Sequence, residues 1–458
     1  MSRSVRPLPS VSELRLAEIV SALSHALDMT DGQPVGHSLR CCWIGMHIGR
    51  QIGLQQSELS DLFYTLLLKD LGCSSNAARI CALFVTSDYD FKRNIKLVDN
   101  DSLAQVLAFV VNNTAVKSGL AERLRGVLNV AMTGGRIDRE IVKTRCERGA
   151  EIAGQMRFSA AVQRGILDLD EHWNGGGYPL SLKGEKISLL ARIALLAQVV
   201  DVFASTTSVA AALDEVARRS GRWFDPALVL AFDGIAEDEG FWVAMQADDF
   251  AARVFALEPQ HLVRQVDDSY LDDIADGFAQ VVDAKSPFTS GHSKRVALVT
   301  ELIAEELGVA TERRRWLVRA ALLHDIGKLG VSNEILDKPG KLDAEEWVAM
   351  KSHPVLGAEI LSRMTAFAGL AKIALDHHEK LDGTGYPHGR KADELDLETR
   401  IVTVADIFDA LTADRPYRKA MSASEAFGLM RGQMAAGLDQ SVVAALELSV
   451  ARLERQAA

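Results

Sequence analysis

The residues best suited to chemistry are gathered in one run, His377-His378-Glu379-Lys380-Leu381-Asp382-Gly383-Thr384-Gly385-Tyr386-Pro387. It joins adjacent imidazoles, an acid and a glycine-broken loop. Further donors lie around it: His292 after Gly291, His324-Asp325 before Ile326-Gly327-Lys328, then His353 and Asp406. Six of the eleven histidines fall between positions 292 and 388. Imidazole and carboxylate are nitrogen and oxygen ligands without thiolate, which suits iron, manganese, zinc or nickel. The candidates are His292, His324, Asp325, His353, His377, His378 and Asp406. They outnumber the roughly four ligands of a single zinc site. Neighbours on a helix point about 100° apart, so His324 can serve one ion while Asp325 turns toward a second. His377-His378 poses the same geometry. Two ions with open positions predict hydrolysis of a phosphate ester. His388 lies just beyond in a polar loop and is read as surface.

Helices must position these groups. Val296, Val299, Ile303 and Leu307 recur at helical spacing, and Leu317, Ala321 and Leu322 lead an apolar face into His324. Thr399 to Leu411 reads as a helix through Asp406. Pro354 suits a first helical turn directly after His353. Lys338-Pro339-Gly340 and Asp382 to Pro387 read as loops. No convincing series of alternating strands occurs, so the fold class is all-α.

The module is written twice. Gly36-His37-Ser38-Leu39-Arg40 matches Gly291-His292-Ser293-Lys294-Arg295 at an offset of 255, and Leu68-Lys69-Asp70-Leu71-Gly72 matches Leu323-His324-Asp325-Ile326-Gly327 at the same offset. Gly149-Ala150-Glu151-Ile152 and Gly177-Tyr178-Pro179 match Gly357-Ala358-Glu359-Ile360 and Gly385-Tyr386-Pro387 at 208. The offsets differ by 47, which places an insertion of that length between Cys73 and Arg145 in the first copy. The expected organisation is a module over 1–233, a helical linker over 234–275 and a second module over 276–458.

A length of 458 residues with 48% hydrophobic and 25% charged residues suits a soluble protein of two or three domains. The net charge of −11 gives no general attraction to a nucleic acid polymer or an anionic membrane. An anionic substrate would need a local basic cluster. The five cysteines (41, 42, 73, 81, 146) form no C-x-x-C pair and are odd in number, which points to a reduced compartment. No apolar run approaches the roughly 20 residues that span a bilayer. The expected location is the cytoplasm.

The stretch from about 270 to 458 resembles the HD-GYP domain, a branch of the HD superfamily of metal-dependent phosphohydrolases. The likeness rests on His324-Asp325, the following Gly327-Lys328, and the whole His-His-Glu-x-x-Asp-Gly-x-Gly-Tyr-Pro signature. The resemblance implies a helical domain with a bi- or trinuclear metal centre that hydrolyses cyclic di-GMP to pGpG and on to GMP. The seven candidates fall on the family's ligand positions. The catalytic set it implies is His324, Asp325 and Lys328. Lys328 falls on a phosphate-contacting lysine, and Arg415 and Arg418 fall on basic positions that hold phosphates. Phe288 stands where three-metal members carry a glutamate, so two divalent transition-metal ions, iron or manganese, are expected. Two other classes compete: a signalling scaffold with weak catalysis, and an HD phosphohydrolase for another nucleotide. The Gly-Tyr-Pro loop and Arg415-Pro416-Tyr417-Arg418 count against the latter.

The first copy keeps His37 and Asp70, but Lys69 replaces His324, Cys73 replaces Lys328 and Arg145 replaces His353. Leu169, Asp170 and Gln198 stand for His377, His378 and Asp406, and Thr207 and Ala210 for the two arginines. Two of seven ligands cannot hold a dinuclear site. This copy is read as a degenerate HD-GYP-like module with a regulatory or structural role and a surface for protein partners. Lys69 and Arg145 would place cations where metals sat, neutralising Asp70 and Asp170. Cys73 is read as a core residue.

Overall fold

The structure is a computed structural model that describes residues 16–84, 88–98, 105, 108–109, 112–113, 139–259, 266–414 and 418–457. Among the described residues every regular element is a helix, and the extended pairings are isolated bridges, Ser220–Phe224 and Asp382–Lys391. The all-α expectation holds. The chain divides into two units, Met1–Asp273 and Ile274–Ala458.

In the second unit, Gly291 sits at φ 69° immediately before the helix His292–Glu306. That left-handed turn favours glycine and makes the histidine the first helical residue. The helix packs on Thr311–Leu323 and on Leu397–Thr412. Val296, Ile303, Leu317, Ile401 and Val404 are buried along these helices. The Leu397–Thr412 helix is capped at its start by the Asp396 carboxylate, which accepts the Thr399 N–H at 2.9 Å. After Leu323 the chain tightens into a 3-10 turn, Ile326–Gly330, which lies against the helix His353–Ser362. A Cβ on Gly327 would collide with the His353 carbonyl. The absent side chain therefore lets the backbone carrying Asp325 approach the backbone carrying His353.

The first unit repeats this plan. Gly36 (φ 85°) precedes the helix His37–Gln51, which packs on Gln56–Leu68 and Leu189–Thr206. A Cβ on Gly72 would meet the Arg145 carbonyl, as Gly327 would meet that of His353. The inserted segment contributes the helices Ala77–Phe84 and Asp88–Ile95, with Ile80, Phe84, Phe91, Val98 and Phe109 forming a small core.

Two expectations need correction. The helix Leu189–Thr206 is long and apolar enough to cross a membrane, although no such run was expected. It is 67% buried inside the protein and serves as the core helix of its unit. Residues 234–275 are not one connecting helix. They contain the short helices Glu239–Ala244 and Phe250–Phe255 and the start of Asp268–Asp283. Phe241 is buried against Trp43, with ring centroids 6.1 Å apart, so much of this stretch belongs to the first unit's core.

The Gly327 contact yields a prediction. Gly327→Ala should destabilise the second unit by about 1–3 kcal/mol through overpacking and weaken metal retention in the same variant. Thermal unfolding and elemental analysis of the full chain check it. Unchanged melting and unchanged metal content would show that the backbones can part without consequence.

Candidate metal centre

The three histidines that follow helix ends share one local logic. The last carbonyls of a helix lack intrahelical partners. His324 Nδ1 bonds the Ala321 carbonyl at 2.7 Å, His353 Nδ1 that of Met350 at 2.7 Å, and His377 Nδ1 that of Ala374 at 2.8 Å. A carbonyl can only accept, so each Nδ1 carries a proton and each Nε2 is the nitrogen turned toward a metal position. His292 reaches the same state differently: its Nδ1 lies 2.7 Å from Asp409 Oδ2.

These Nε2 atoms converge on two carboxylates. Asp325 Oδ1 lies 3.3 Å from His353 Nε2 and 3.6 Å from His377 Nε2. Its other oxygen lies 3.4 Å from His292 Nε2 and 3.3 Å from His324 Nε2. Asp406 repeats the division. Its Oδ1 lies 3.4 Å from His292 Nε2, and its Oδ2 lies 3.8 Å from His378 Nδ1. The donors thus form two groups, Asp325–His353–His377–His378 and His292–His324–Asp406. Asp325 sits between them with one oxygen toward each. All seven sequence candidates are brought together.

The donor set fits divalent ions. His292 Nε2, His324 Nε2 and Asp325 Oδ1 are buried and make no hydrogen bond, an arrangement that is costly unless something else binds there. Burial opposes charge on His292, yet Asp325, Asp406 and Asp409 raise its pKa well above the ordinary 6.5. His324 is raised likewise, against burial, by Asp325. Burial also works against the Asp325 carboxylate, but His324 and Lys328 hold it well below the usual range. Burial pulls His377 down to about 4. His378 falls well below its ordinary value through burial and the neighbouring His377 and His353. The site therefore combines ionised carboxylates with imidazoles that are either neutral or hold protons which a cation would displace.

Lys328 donates to Asp325 Oδ2 at 2.5 Å and is partly open to solvent. Arg418 is engaged with backbone: Nη1 donates to the carbonyls of Leu411 (2.9 Å) and Lys419 (2.8 Å), and Nη2 to that of Ala410 (2.6 Å). Arg415 lies outside the described residues. Phe288, whose N–H donates to Ser286 Oγ, brings no ligand atom.

Two roles were missed from sequence. Asp409 fixes His292 and also accepts Arg295 Nε at 2.5 Å. Glu379 pins the Gly-Tyr-Pro loop by accepting the N–H groups of His388 (2.7 Å) and Arg390 (3.0 Å). The signal was present for both: at offset 208 they match Asp201 and Glu171. Those residues act identically, Asp201 on His37 and Arg40, Glu171 on the N–H groups of Leu180 and Leu182.

In the first unit the chain's own cations, Lys69 and Arg145, take two of the ligand positions. Lys69 pairs with Asp70 and lies 3.0 Å from His37 Nε2. Arg145 pairs with Asp170, and Lys96 from the insertion pairs with Asp31 and approaches Asp70. Burial lowers His37 to about 4, with Lys69 adding to the effect. Burial likewise pushes the Cys73 thiol up, as suits a core residue.

A family model for the HD domain matches residues 128–228 and 277–442. A 3'3'-cGAMP-specific phosphodiesterase from Vibrio cholerae is 52% identical over 432 residues, covering 94% of each chain. The chain belongs to the HD domain family, in its HD-GYP branch. A cyclic di-GMP phosphodiesterase response regulator from Xanthomonas campestris is 37% identical over 46% of this chain and 56% of its own length. The crystal structure of a cyclic GMP-AMP specific phosphodiesterase from V. cholerae aligns over 95% of this chain and 98% of its own, at a TM-score of 0.64 and 46% identity. Two HD-type helical units in tandem, with the full donor set in the second, thus describe this chain.

Two predictions follow from the donor geometry. Residues that orient metal-binding histidines typically contribute roughly 10–100-fold in metal affinity, so Asp409→Ala should weaken metal binding by about that factor, while Asp201→Ala leaves metal content unchanged. Competition against a chelator measures both. The second concerns pH. His292 and His324, raised above 6.5 by the surrounding carboxylates, bind protons more readily than ordinary imidazoles and metal competes with those protons, whereas burial shifts His377 and His378 the other way. Metal loading near pH 7 should release protons, and affinity should fall as pH drops. Calorimetry in buffers of different ionisation enthalpy reads this; loading without proton release would contradict it.

Proposed function

We propose that this protein is a metal-dependent phosphodiesterase that opens a cyclic dinucleotide, with 3'3'-cGAMP as first substrate. The observation that carries this reading is the pair of donor groups sharing Asp325. With a divalent ion held at each group, a phosphodiester over that pair would meet two sites of positive charge at once. His292, His324, Asp325, His353, His377, His378 and Asp406 hold two divalent ions, iron or manganese. Such ions supply Lewis acidity to the phosphate. Support for the substrate comes from the 52% identical relative, which is named for 3'3'-cGAMP and matches over nearly its whole length. Cyclic di-GMP, with pGpG and then GMP as products, is the second reading. It is favoured by the signature loop and by the Xanthomonas relative.

The chain's own residues divide the remaining work. Lys328, partly exposed beside Asp325, is placed to bind a non-bridging phosphate oxygen. Arg415 and Arg418 hold the substrate's phosphates, and Arg418 also fixes the turn after Leu397–Thr412. The carbonyl-tied histidines keep their Nε2 atoms in place through the reaction, so little reorganisation is needed. The first unit acts as a regulatory or structural module and offers a surface to protein partners. Free thiols at all five cysteines support a cytoplasmic setting.

Alanine substitutions divide the reading. His324→Ala and Asp325→Ala should abolish turnover of 3'3'-cGAMP and of cyclic di-GMP and lower metal content from about two ions per chain. His37→Ala should retain metal and turnover. Arg418→Ala should keep its metal yet lose roughly ten- to a hundredfold in kcat/KM, the scale of a charged hydrogen bond of about 1.5–3 kcal/mol. Equal loss in His37→Ala and His324→Ala would assign chemistry to both units and overturn the division.

A further inference from the structure

We infer that Trp347 and Lys351 form a purine-stacking wall for the substrate; this rests on the phosphodiesterase reading above. The direction in which the centre opens comes first. The side chains of His292, His324, His353 and His377 are at most 2% exposed, whereas that of His378 is 24% exposed. Among the histidines of the centre His378 is thus the one open to solvent, so a ligand can reach the centre beside it. Tyr386 of the Gly-Tyr-Pro loop lies over that ring, with centroids 4.7 Å apart and planes tilted by 33°. Lys351 comes next, its Nζ 5.6 Å from the Tyr386 ring centroid and 5.7 Å from that of Trp347. Imidazole, phenol, ammonium and indole thus follow one another from the centre outward.

The last member is the unusual one. Trp347 is 46% exposed, and its neighbour Val348 is 73% exposed. Their helix, Ala344–Lys351, is firmly held. Asp343 and Glu346 form a capping box at its start, and Lys338 pairs with Glu346 at 2.5 Å. At its other end the Met350 carbonyl bonds His353 Nδ1, so the helix is fixed to a ligand of the centre. A rigid helix thus presents an uncovered indole one step beyond the residue that guards the opening.

The chemistry of a cyclic dinucleotide matches this row. With one phosphate at the paired donor groups, the adjoining ribose carries its purine outward along the wall. An indole face stacks on any purine and is tolerant of which base it meets. The Lys351 ammonium lies between the two rings and faces the anionic sugar–phosphate ring. The wall therefore supplies affinity for a purine dinucleotide, while the centre supplies the reaction.

The test uses the full-length, metal-loaded protein with wild type, Trp347→Ala and Trp347→Phe. The loss of one stacking contact should raise KM for 3'3'-cGAMP on the order of tenfold in Trp347→Ala, with the effect on KM rather than on kcat. Metal content should be unaltered, and Trp347→Phe should restore most of the affinity. An unchanged KM in Trp347→Ala would overturn the wall. A second measurement separates this from the reading it rests on. Equilibrium dialysis of 3'3'-cGAMP against the chelated, metal-free protein reads the base contact without turnover. Weaker retention by Trp347→Ala than by wild type supports the wall even if wild type hydrolyses no cyclic dinucleotide. Equal retention by both, or retention by neither, overturns it.

Discussion

A buried carboxylate must be matched by positive charge, and both units are organised around that requirement. An ionised group withdrawn from water costs several kcal/mol even after the protein relaxes around it. Asp325 and Asp70 occupy equivalent positions and are both buried. The first unit meets the requirement from its own chain, through Lys69 and, more distantly, Lys96. The second gathers imidazoles whose Nε2 atoms face the carboxylate, with Lys328 as a partial match at the open side. One solution draws its positive charge from the chain itself. The other leaves buried nitrogen and oxygen atoms without a hydrogen bond and is completed from outside.

What the units share is the framework behind those groups. Ser38 and Ser293 donate to Asp28 and Asp283; Asp201 and Asp409 orient His37 and His292. Arg40 and Arg295 complete the same ion pairs. Glu171 and Glu379 tie down the two Gly-Tyr-Pro loops, and Gly72 and Gly327 permit the same close backbone approach. Because this framework persists where the ligands are gone, it is sufficient for the fold. The ligand set is an addition to a scaffold that stands without it, which is why one half can lose its metal-binding character and keep its architecture.

The sequence was legible where chemistry is carried by residue type and spacing. Seven donors, the helical class and the duplication all followed from motifs and offsets, because imidazoles and carboxylates in such density have few other uses. Three features were less legible. Asp409 and Glu379 looked like ordinary acids, since their role lies in which atom they hold and not in what they are. The Leu189–Thr206 helix has the composition of a membrane span and is distinguished only by the partners that bury it. The 234–275 stretch has helical periodicity but breaks into short pieces, one of which packs Phe241 against Trp43. In each case tertiary packing decided between alternatives that local pattern left equal.

The insertion shows how the first unit's solution is completed. Lys69 sits at the position of His324, but replacing one imidazole with one ammonium does not balance Asp31, Asp70 and Asp170 together. Arg145 supplies a second cation at the position of His353. The third, Lys96, has no counterpart at an aligned position because it comes from the additional helical segment, which carries its own core of Phe84, Phe91 and Phe109. That small core anchors a long flexible side chain where it can neutralise Asp31 and approach Asp70. The first unit's cluster is thus more than a site with ligands deleted: Asp70 stands where Asp325 does, whereas Asp31 and Asp170 stand at the positions of Ser286 and His378, and each of these carboxylates is met by a cation fixed in packed structure.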